Sequence, residues 1–327
     1  MLKDSLGRTI KDLRISVTER CNYKCVYCMP ANFISRGERA DLLTFEEIAR
    51  LARLFAELGV RKVRLTGGEP LVRRHLEVLV GLLSAVDGLQ DLAITTNGFF
   101  LTEQAKALAA AGLRRLNVSL DSLRPERFYQ ITQHNSHGRV LEGLRAARQA
   151  GFSNIKVNVV LMRGVNDDEI MDFVDWGLAN GYRIRFIEFM PLDGDDRWRR
   201  NLVVPGAEIY DAIRVQRPLE PLPGQDPSDP ARVYRFADGA GDVGIIASVT
   251  QAFCGTCSRV RLTADGKVRT CLFSLKDHDV KDLLRGGAGD ADLKQRIEAI
   301  IWQKEPGHHI NEPDFVLPNR PMVAIGG

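Results

Sequence analysis

Six cysteines, arranged in two groups of three, constrain this chain more strongly than any other feature of its sequence. They form a first cysteine set and a second cysteine set: Cys21, Cys25 and Cys28, and then Cys254, Cys257 and Cys271. Thiolates spaced this closely are more often metal ligands than disulfide partners in a reducing compartment. Because these six are all the cysteines of the chain, two metal clusters are the simplest interpretation.

The number of ligands in the first cysteine set favours an iron–sulfur cluster. Three thiolates on a [4Fe–4S] cluster leave one iron free to bind a small molecule. A zinc site would need a fourth ligand, and the nearest histidine along the sequence is His75. A zinc or redox-active thiol site is the alternative for this set.

The second cysteine set is predicted to lie on a β-hairpin. Asp265 and Gly266 separate two β-branched runs, which is a hairpin signal. Arg259 and Arg261 share one face because side chains alternate along a strand. These features favour a second three-thiolate cluster beside two arginines, and the alternative is a Cys₃His zinc site that uses His278.

A repeated order of helix, glycine and β-branched run predicts an α/β fold. The predicted strands lie at residues 12–18, 63–65, 92–96, 116–120, 155–160 and 184–189. Strands that alternate with helices form parallel βαβ units, here an incomplete (β/α)₆ TIM-like barrel. Thr44 and Glu47 predict a capping box at the start of the first long helix. Such barrels carry their chemistry at the C-terminal ends of the strands.

The sequence pattern changes after residue 215. Residues 217–230 contain five prolines, which predict an exposed connection. Short β-type runs at 233–236 and 243–246 and a helix near 290–304 follow. We therefore expect a partial barrel over residues 1–215, closed on its open side by a smaller α+β region over residues 216–327 that carries the second cysteine set.

Several cations lie on predicted strands, where burial is expected: Arg14, Arg64, Lys156 and Arg185. Each could pair with a carboxylate or face solvent, and the available carboxylates are Glu69, Asp121 and Glu188. Several cations together are costly to bury without compensation. A multiply charged anion such as a nucleoside triphosphate would offset that cost. The chain has no G-x₄-G-K-[ST] sequence, so this would not be a P-loop site.

With Tyr27 directly before its last cysteine, the first cysteine set resembles the signature of the radical S-adenosylmethionine enzymes. The sequence Thr-Gly-Gly-Glu-Pro at 66–70 is similar to the glycine-rich motif of the same family. The resemblance implies an incomplete barrel and a [4Fe–4S] cluster whose open iron binds S-adenosylmethionine and cleaves it to a 5′-deoxyadenosyl radical. It also implies S-adenosylmethionine contacts from Tyr27, Gly68, Ser119 and Met190.

Further motifs resemble the GTP 3′,8-cyclase family of molybdenum-cofactor biosynthesis. These are C-x₂-C-x₁₃-C with Arg-x-Arg beside its second cysteine, the sequence Arg-Phe-Ile-Glu-Phe-Met at 185–190, and a terminal Gly-Gly. The resemblance implies a second [4Fe–4S] cluster on the second cysteine set. It implies GTP contacts from Arg14, Arg64, Thr95, Lys156, Arg259, Val260 and Arg261. It also implies that the tail enters the active site, so that the residues closest to catalysis are Arg259, Arg261, Gly326 and Gly327.

The same resemblance implies a reaction and its partners. The adenosyl radical would take the 3′ hydrogen of GTP, and the ribose radical would add to C8 of guanine. Reduction and protonation of the resulting nitrogen-centred radical would give (8S)-3′,8-cyclo-7,8-dihydroguanosine 5′-triphosphate. An electron donor such as flavodoxin or ferredoxin and the next enzyme of the pathway, cyclic pyranopterin monophosphate synthase, are expected partners, with a possible homodimer.

Charge and hydropathy narrow the remaining function classes. The formal net charge is only +3, so no nucleic-acid surface is expected. Without a long apolar run or a signal-peptide core, we expect a cytoplasmic protein that does not bind membranes. The alternatives in function are a radical S-adenosylmethionine enzyme that matures a peptide and carries an auxiliary cluster, or a non-catalytic metal-cluster nucleotide sensor.

Overall fold

The fold is that of a computed structural model, which describes residues 1–33, 39–192, 195 and 197–326. The strands are β1 (Asp12–Ser16), β2 (Lys62–Thr66), β3 (Asp91–Thr96), β4 (Arg115–Ser119), β5 (Ile155–Leu161), β6 (Arg183–Glu188), β7 (Leu219–Pro221), β8 (Arg232–Phe236), β9 (Asp242–Ile246), β10 (Arg259–Leu262), β11 (Lys267–Arg269) and β12 (His278–Asp279). The α-helices are α1 (Phe45–Glu57), α2 (Leu76–Ser84), α3 (Leu101–Ala110), α4 (Pro125–Thr132), α5 (His137–Gln149), α6 (Ile170–Asn180), α7 (Gly206–Gln216), α8 (Lys281–Arg285), α9 (Asp290–Trp302) and α10 (Met322–Ile325).

Strands β1 to β6 form the parallel wall that the sequence predicts. Neighbours in the chain are neighbours in the sheet, and every pair from β1 to β6 is parallel. The predicted capping box of α1 is also confirmed. The Thr44 hydroxyl accepts from the Glu47 amide at 3.1 Å, and the Glu47 carboxylate accepts from the Thr44 amide at 2.7 Å. The fold class is therefore the expected α/β partial barrel.

The C-terminal strands extend this wall at both edges. β10 pairs in parallel with β1, and β9 pairs in parallel with β6. Antiparallel strands continue outward on each side, so the described residues contain one sheet in the order β12-β11-β10-β1-β2-β3-β4-β5-β6-β9-β8-β7. The predicted hairpin is confirmed as β10 and β11, with Arg261 opposite Arg269.

The sequence does not predict two C-terminal elements. No residue of the proline-rich segment 217–230 is buried, as expected for a connection, but the segment contains β7, which pairs antiparallel with β8. The tail contains the short helix α10, whose Ile325 is buried in one apolar cluster with Leu192 and Phe273. Proline is tolerated in β7 because β7 is an edge strand with only one neighbour.

The two faces of the parallel wall have opposite character. Leu13, Ile15 and Leu65 point outward and are fully buried in the apolar core between the strands and the surrounding helices. Arg14 and Arg64 take the alternate positions and point inward. The barrel interior is therefore polar and cationic, while the core lies outside it. No helix within the described part of the chain is both long enough and apolar enough to cross a membrane.

Candidate active site

Both cysteine sets line a single cavity at the C-terminal ends of the parallel strands. All six cysteines contribute to its wall, together with Thr66, Thr95 and Ser119 from the ends of β2, β3 and β4. The sets are almost 230 residues apart in sequence, and the pairing of β10 with β1 brings them together. A long non-local pairing therefore builds the site.

The first cysteine set occupies the loop after β1, which α4 and the residues after it support. The Lys24 and Val26 amides each donate to carbonyls at the end of α4, at 3.0 Å. Cys21 Sγ accepts from the Tyr23 amide at 3.4 Å. Burial is the main cause that raises the pKa of Cys21 to about 12, and burial also raises the pKa values of Cys25 and Cys28.

These thiols fit an iron–sulfur cluster. They are half-buried, they converge on one cavity, and for Cys21 and Cys25 desolvation, which raises the thiol pKa, outweighs the hydrogen bonds that lower it. Bound cations compensate thiolate charge and deprotonate coordinating thiols. No group of three or more His, Cys, Asp or Glu within the described ranges is arranged around a single metal ion.

Gly68 lies where the end of β2 packs against the loop that leads to Cys21. Its amide donates to the Thr18 carbonyl at 2.7 Å, and the next amide, of Glu69, donates to the Arg20 carbonyl at 2.8 Å. A Cβ at Gly68 would lie 2.6 Å from the Arg20 carbonyl carbon. Glycine is required here because the two backbones touch, and the Gly68 amide is already engaged.

The other three predicted S-adenosylmethionine contacts line the same cavity. They are Tyr27, Ser119 and Met190. The Tyr27 hydroxyl donates to Asp121 at 2.7 Å, and the other Asp121 oxygen accepts from the Val160 amide at 2.8 Å. Asp121 thus fixes the tyrosine hydroxyl at the C-terminal ends of β4 and β5.

The three carboxylates considered as partners for the buried cations bind other groups. Glu69 accepts from the Leu71 and Asn97 amides and from the Thr96 hydroxyl. Glu188 accepts from the amides of Gly206, Val249 and Thr250 and from the Thr250 hydroxyl. With Asp121 engaged as above, none of these carboxylates forms an ion pair with a strand cation, so the alternative in which they neutralise the cations is excluded.

The strand cations form no ion pair within the described part of the chain. Arg14 Nε and Arg64 Nε are buried without a hydrogen-bond partner there. Arg185 donates only to neutral amides, to Asn158 Oδ1 at 2.9 Å and to Asn117 Oδ1 at 2.6 Å. Burial, followed by neighbouring arginines, lowers the pKa of Arg14 and of Arg185. The interior is therefore an uncompensated cationic site.

Two of the predicted GTP contacts, Lys156 and Val260, are not among the described residues that line the cavity. Lys156 lies on the inward face of β5, two residues before Asn158, which lines the cavity. It therefore sits deeper in the barrel than the cavity wall. The Val260 side chain points into the outer core, where it is buried, so that only its backbone faces inward. Thr95, Arg14 and Arg64 line the cavity.

Arg259 and Arg261 lie beside the second cysteine set. Arg259 Nη2 donates to Cys257 Sγ at 3.4 Å, and its guanidinium lies over the Phe253 ring. Burial acts to raise the pKa of Cys257, but the charges of Arg259 and Lys304 outweigh it and lower that pKa to about 7. Burial and the neighbouring Arg259 lower the pKa of Arg261 to about 9. These thiols and arginines share one electrostatic environment.

The zinc alternative for the second cysteine set cannot use His278, its predicted fourth ligand, at the cavity. His278 lies on β12, where it pairs with Val268. It is not among the described residues that line the cavity, whereas Cys254, Cys257 and Cys271 are. The hairpin register, which the sequence left open, places Cys271 beyond the end of β11 and on the cavity wall.

The C-terminal tail reaches the barrel interior. The Gly326 carbonyl accepts from Arg261 Nη1. A Cβ at Gly326 would lie 2.8 Å from Thr66 Cγ2 and 3.3 Å from Ser16 Cβ, and its φ of 78° also favours glycine. Gly327, also predicted to act in catalysis, lies outside the described residues.

Sequence reasoning missed several residues of the cavity wall: Asn97, Asn158, Lys304 and His308. Asn158 could have been found, because it shares the inward face of β5 with Lys156 by the two-residue period. Asn97 directly follows β3 and could have been found as a strand-end residue. Lys304 and His308 follow α9, and no local pattern assigns that segment to the cavity.

An incomplete parallel barrel with a three-cysteine loop after its first strand and a Gly-Gly turn after its second defines a radical S-adenosylmethionine protein. Residues 15–177 match the radical SAM superfamily, and residues 182–310 match the family described as Molybdenum Cofactor Synthesis C. The chain belongs to the GTP 3′,8-cyclase family.

Full-length relatives establish this membership. The GTP 3′,8-cyclase of Mycobacterium sp. (strain KMS) is 46% identical over 327 residues, which is 100% of this chain and 93% of the relative. That of Streptomyces coelicolor is 45% identical over 329 residues, or 100% and 96%. The solved structure of Streptococcus suis SuiB bound to S-adenosylmethionine has a TM-score of 0.66 and covers 97% of this chain and 78% of SuiB. At 15% identity it shows the shared fold alone.

Proposed function

We propose that this chain is a lyase that converts GTP to (8S)-3′,8-cyclo-7,8-dihydroguanosine 5′-triphosphate, the first step of molybdenum-cofactor biosynthesis. Relatives named GTP 3′,8-cyclase at 44–46% identity over the whole chain support this reaction. The observation that carries it is one cavity lined by both cysteine sets and by arginines that have no carboxylate partner among the described residues. Residues 1–215 would supply the first set and the S-adenosylmethionine site, and residues 216–327 the second set.

The two cysteine sets and the residues beside them would hold the cofactors. The first cysteine set would hold one [4Fe–4S] cluster, and Tyr27, Gly68, Ser119 and Met190 would contact S-adenosylmethionine. When bound, this pair supplies a carbon radical able to take a hydrogen atom from the ribose. The second cysteine set would hold a second [4Fe–4S] cluster. Its supporting feature is a group of three half-buried thiols with cations on the same cavity wall.

The cations of the barrel interior would bind the triphosphate. Arg14, Arg64 and Arg185 present guanidinium groups that suit phosphate oxygens. Lys156 would contribute a point charge from deeper in the barrel, and Thr95 a hydroxyl at the cavity wall. Filling the interior with an anion removes the cost of several buried like charges and expels water from the reacting ribose.

The residues nearest to catalysis would be Arg259, Arg261 and the glycines of the tail. Arg261 already donates to the Gly326 carbonyl, which joins the tail to the cation at the cavity wall. We propose that Arg259, Arg261 and the Val260 backbone orient the nucleotide, while Gly326 and Gly327 close the cavity around it. An acidic electron donor such as flavodoxin or ferredoxin, a following cyclic pyranopterin monophosphate synthase and a homodimer are further proposals.

The reaction is tested by product analysis under strict anaerobiosis. The reconstituted protein is incubated with GTP, S-adenosylmethionine and a chemical reductant, and the nucleotides are separated and identified by mass spectrometry. We expect 5′-deoxyadenosine together with a GTP isomer that has lost the 3′ hydrogen, which 3′-deuterated GTP transfers to 5′-deoxyadenosine. Release of 5′-deoxyadenosine without any GTP-derived product would reject the proposed reaction.

Loss of one arginine at the second cysteine set should weaken GTP binding selectively. Arg261→Gln removes a charge-assisted hydrogen-bond donor, so we expect GTP affinity to fall by about ten- to a hundredfold. Cleavage of S-adenosylmethionine should remain detectable. Equilibrium dialysis with labelled GTP measures the affinity, and Arg235→Gln on the exposed edge of β8 is the matched control. Unchanged GTP affinity with lost cleavage would contradict this role.

GTP binding should also depend on pH through Lys156. Burial, followed by the charges of Arg185, Arg115, Arg183 and Arg64, lowers the pKa of Lys156 to about 7. A bound triphosphate favours the protonated amine, so GTP binding takes up a proton above this pKa and affinity falls as pH rises. The limit is about tenfold per pH unit for one proton.

The measurement is GTP affinity between about pH 7.5 and 8.5, above the titration of the γ-phosphate and below that of guanine N1 and of Arg261, whose pKa is about 9. Lys156→Met should flatten the profile, while the exposed Lys106→Met should leave it unchanged. The free energy of unfolding of the ligand-free protein should rise with pH, whereas the GTP affinity falls. Because the folded pKa lies below the unfolded value of about 10.4, stability rises as pH rises through 7. Equal slopes in Lys156→Met and in the unchanged protein would exclude Lys156 as the titrating group.

A further inference from the structure

Arg8 binds the backbone of two chain segments next to the second cysteine set. Its Nη1 donates to the Cys254 carbonyl at 2.9 Å and to the Pro306 carbonyl at 3.0 Å. Its Nη2 donates to the Glu305 carbonyl at 2.6 Å. Through its Nε, the same guanidinium forms a buried ion pair with Asp4. Arg8 therefore fixes the Cys254 loop against residues 305–306, and its own charge is balanced.

Lys304 makes the complementary contacts on the other side of the same segment. It is 4% exposed, and its Nζ donates to the carbonyls of Arg259, at 3.0 Å, and Thr270. Thr270 directly precedes Cys271, and Arg259 lies two residues after Cys257. Lys304 has no ion pair with any residue in the described ranges, and its charge acts on Cys257 and Cys271 as well as on the neighbouring Glu305 carboxylate.

The segment after α9 thus contacts all three parts of the second cysteine set. A Cβ at Gly307 would lie 3.5 Å from Cys254 Cβ and 3.7 Å from its Sγ, so the backbone packs directly on that side chain. The Glu305 carboxylate accepts from the Thr270 hydroxyl at 2.6 Å. None of these contacts is local in sequence, and together they set the spacing of thiols that come from a loop and from a hairpin end.

We propose that Arg8 and Lys304 are positioning residues that hold the three thiols of the second cysteine set at the spacing a cluster needs. This inference rests on the second cluster of the proposed function. Arg8 acts by geometry, since Asp4 balances its charge. Lys304 acts by geometry and by charge, since a buried cation beside a cluster favours its reduced, more negative state. Neither residue contacts substrate in this role.

The geometric part is tested first on the cluster-free full-length chain. Arg8→Gln should increase amide hydrogen exchange about tenfold in peptides that cover residues 253–258 and 303–308, because several charged hydrogen bonds are lost. The peptide that covers 21–28 should exchange as before. Arg8→Lys keeps the pair with Asp4 but cannot reach all of the carbonyls, so it should restore protection only in part. The exposed Arg114→Gln is the control.

The same variants are then reconstituted anaerobically. The unchanged chain should bind about eight iron atoms, and Arg8→Gln should fall toward about four while the first cysteine set stays loaded. Lys304→Met should shift the midpoint potential of the second cluster to a lower value, and Lys304→Arg should return it toward that of the unchanged chain. Lys106→Met serves as the control for a lost surface charge.

The outcomes separate this inference from the function on which it rests. About four iron atoms in the unchanged chain would reject the second cluster, whatever the exchange data show. Normal exchange and full iron content in Arg8→Gln would overturn the role of Arg8. An unchanged midpoint potential in Lys304→Met, or one that Lys304→Arg fails to restore, would overturn the electrostatic role of Lys304.

Discussion

Gly68→Ala is expected to abolish S-adenosylmethionine cleavage and to empty the first cysteine set of iron. The added Cβ would lie 2.6 Å from the Arg20 carbonyl carbon and 2.8 Å from the Glu19 carbonyl oxygen. No rotamer change relieves a clash between two backbones, so the loop before Cys21 must move. Because a displacement of about 1 Å costs about a hundredfold in rate, we expect a loss of at least that size.

The measurements are iron content after anaerobic reconstitution and the yield of 5′-deoxyadenosine without GTP. Iron should fall from about eight to about four atoms per chain, since the atoms nearest to the added Cβ belong to Glu19 and Arg20, which directly precede the first cysteine set. Gly81→Ala is the matched control, because a Cβ there meets nothing within 4 Å and alanine suits a helix interior better than glycine. Normal iron content and cleavage in Gly68→Ala would show that the close packing of this turn is unimportant.

The strands of the barrel could be predicted because their signals are local. Each of the strands β2 to β6 follows a helix and a glycine or a loop, and the alternation alone predicts parallel pairing. The partners of β9 and β10 could not be predicted in this way. The edge of the sheet that a C-terminal strand joins depends on the twist and closure of the strands that precede it. A short β-type run in the sequence does not indicate which edge that will be.

The chemistry of the site was predictable where it depends on spacing within one segment. The first cysteine set, the Gly-Gly turn and the Arg-x-Arg pair are all of this kind. The fate of the carboxylates was not predictable from the sequence. Glu69, Asp121 and Glu188 stand near the cations in sequence and bind backbone amides and hydroxyls instead. Every residue except proline has a backbone amide, so residue types do not show which carboxylates will bind one. The sequence therefore could not show that these carboxylates leave the cations without an ion pair.

This use of carboxylates has a functional consequence. Each carboxylate links the end of a strand to another segment at the rim of the barrel. Its negative charge therefore stabilises the fold and does not neutralise the strand cations. The cations of the interior then stay available for an anionic ligand. Glu188 is the extreme case, because it connects the end of β6 to the N-terminus of α7 and to residues 249–250, which lead to the second cysteine set.

Glu188→Ala should therefore destabilise the whole C-terminal side of the barrel. Glu188 is fully buried and accepts from the amides of Gly206, Val249 and Thr250 at 2.7, 2.7 and 2.8 Å, and from the Thr250 hydroxyl. Each buried donor left without a partner costs about 1–3 kcal/mol. We expect a loss of about 4 kcal/mol or more in the free energy of unfolding, measured by urea denaturation, because water can satisfy only part of the set.

Glu188→Gln distinguishes the loss of acceptors from the loss of volume. The amide keeps the size of the side chain, but its NH₂ group would face amide donors where a carboxylate oxygen now accepts, so we expect a loss of about 2 kcal/mol or more. Glu208→Ala on α7 removes only an exposed ion pair with Arg163 and should cost less than about 1 kcal/mol. Arg8 and Lys304 remain in place in both Glu188 variants, so any iron lost from the second cysteine set reports the displacement of residues 249–250. If the Glu188 variants were as stable as Glu208→Ala, the amides that Glu188 binds would have found other partners. That result would reject the proposed role of Glu188 in connecting the barrel to the second cysteine set.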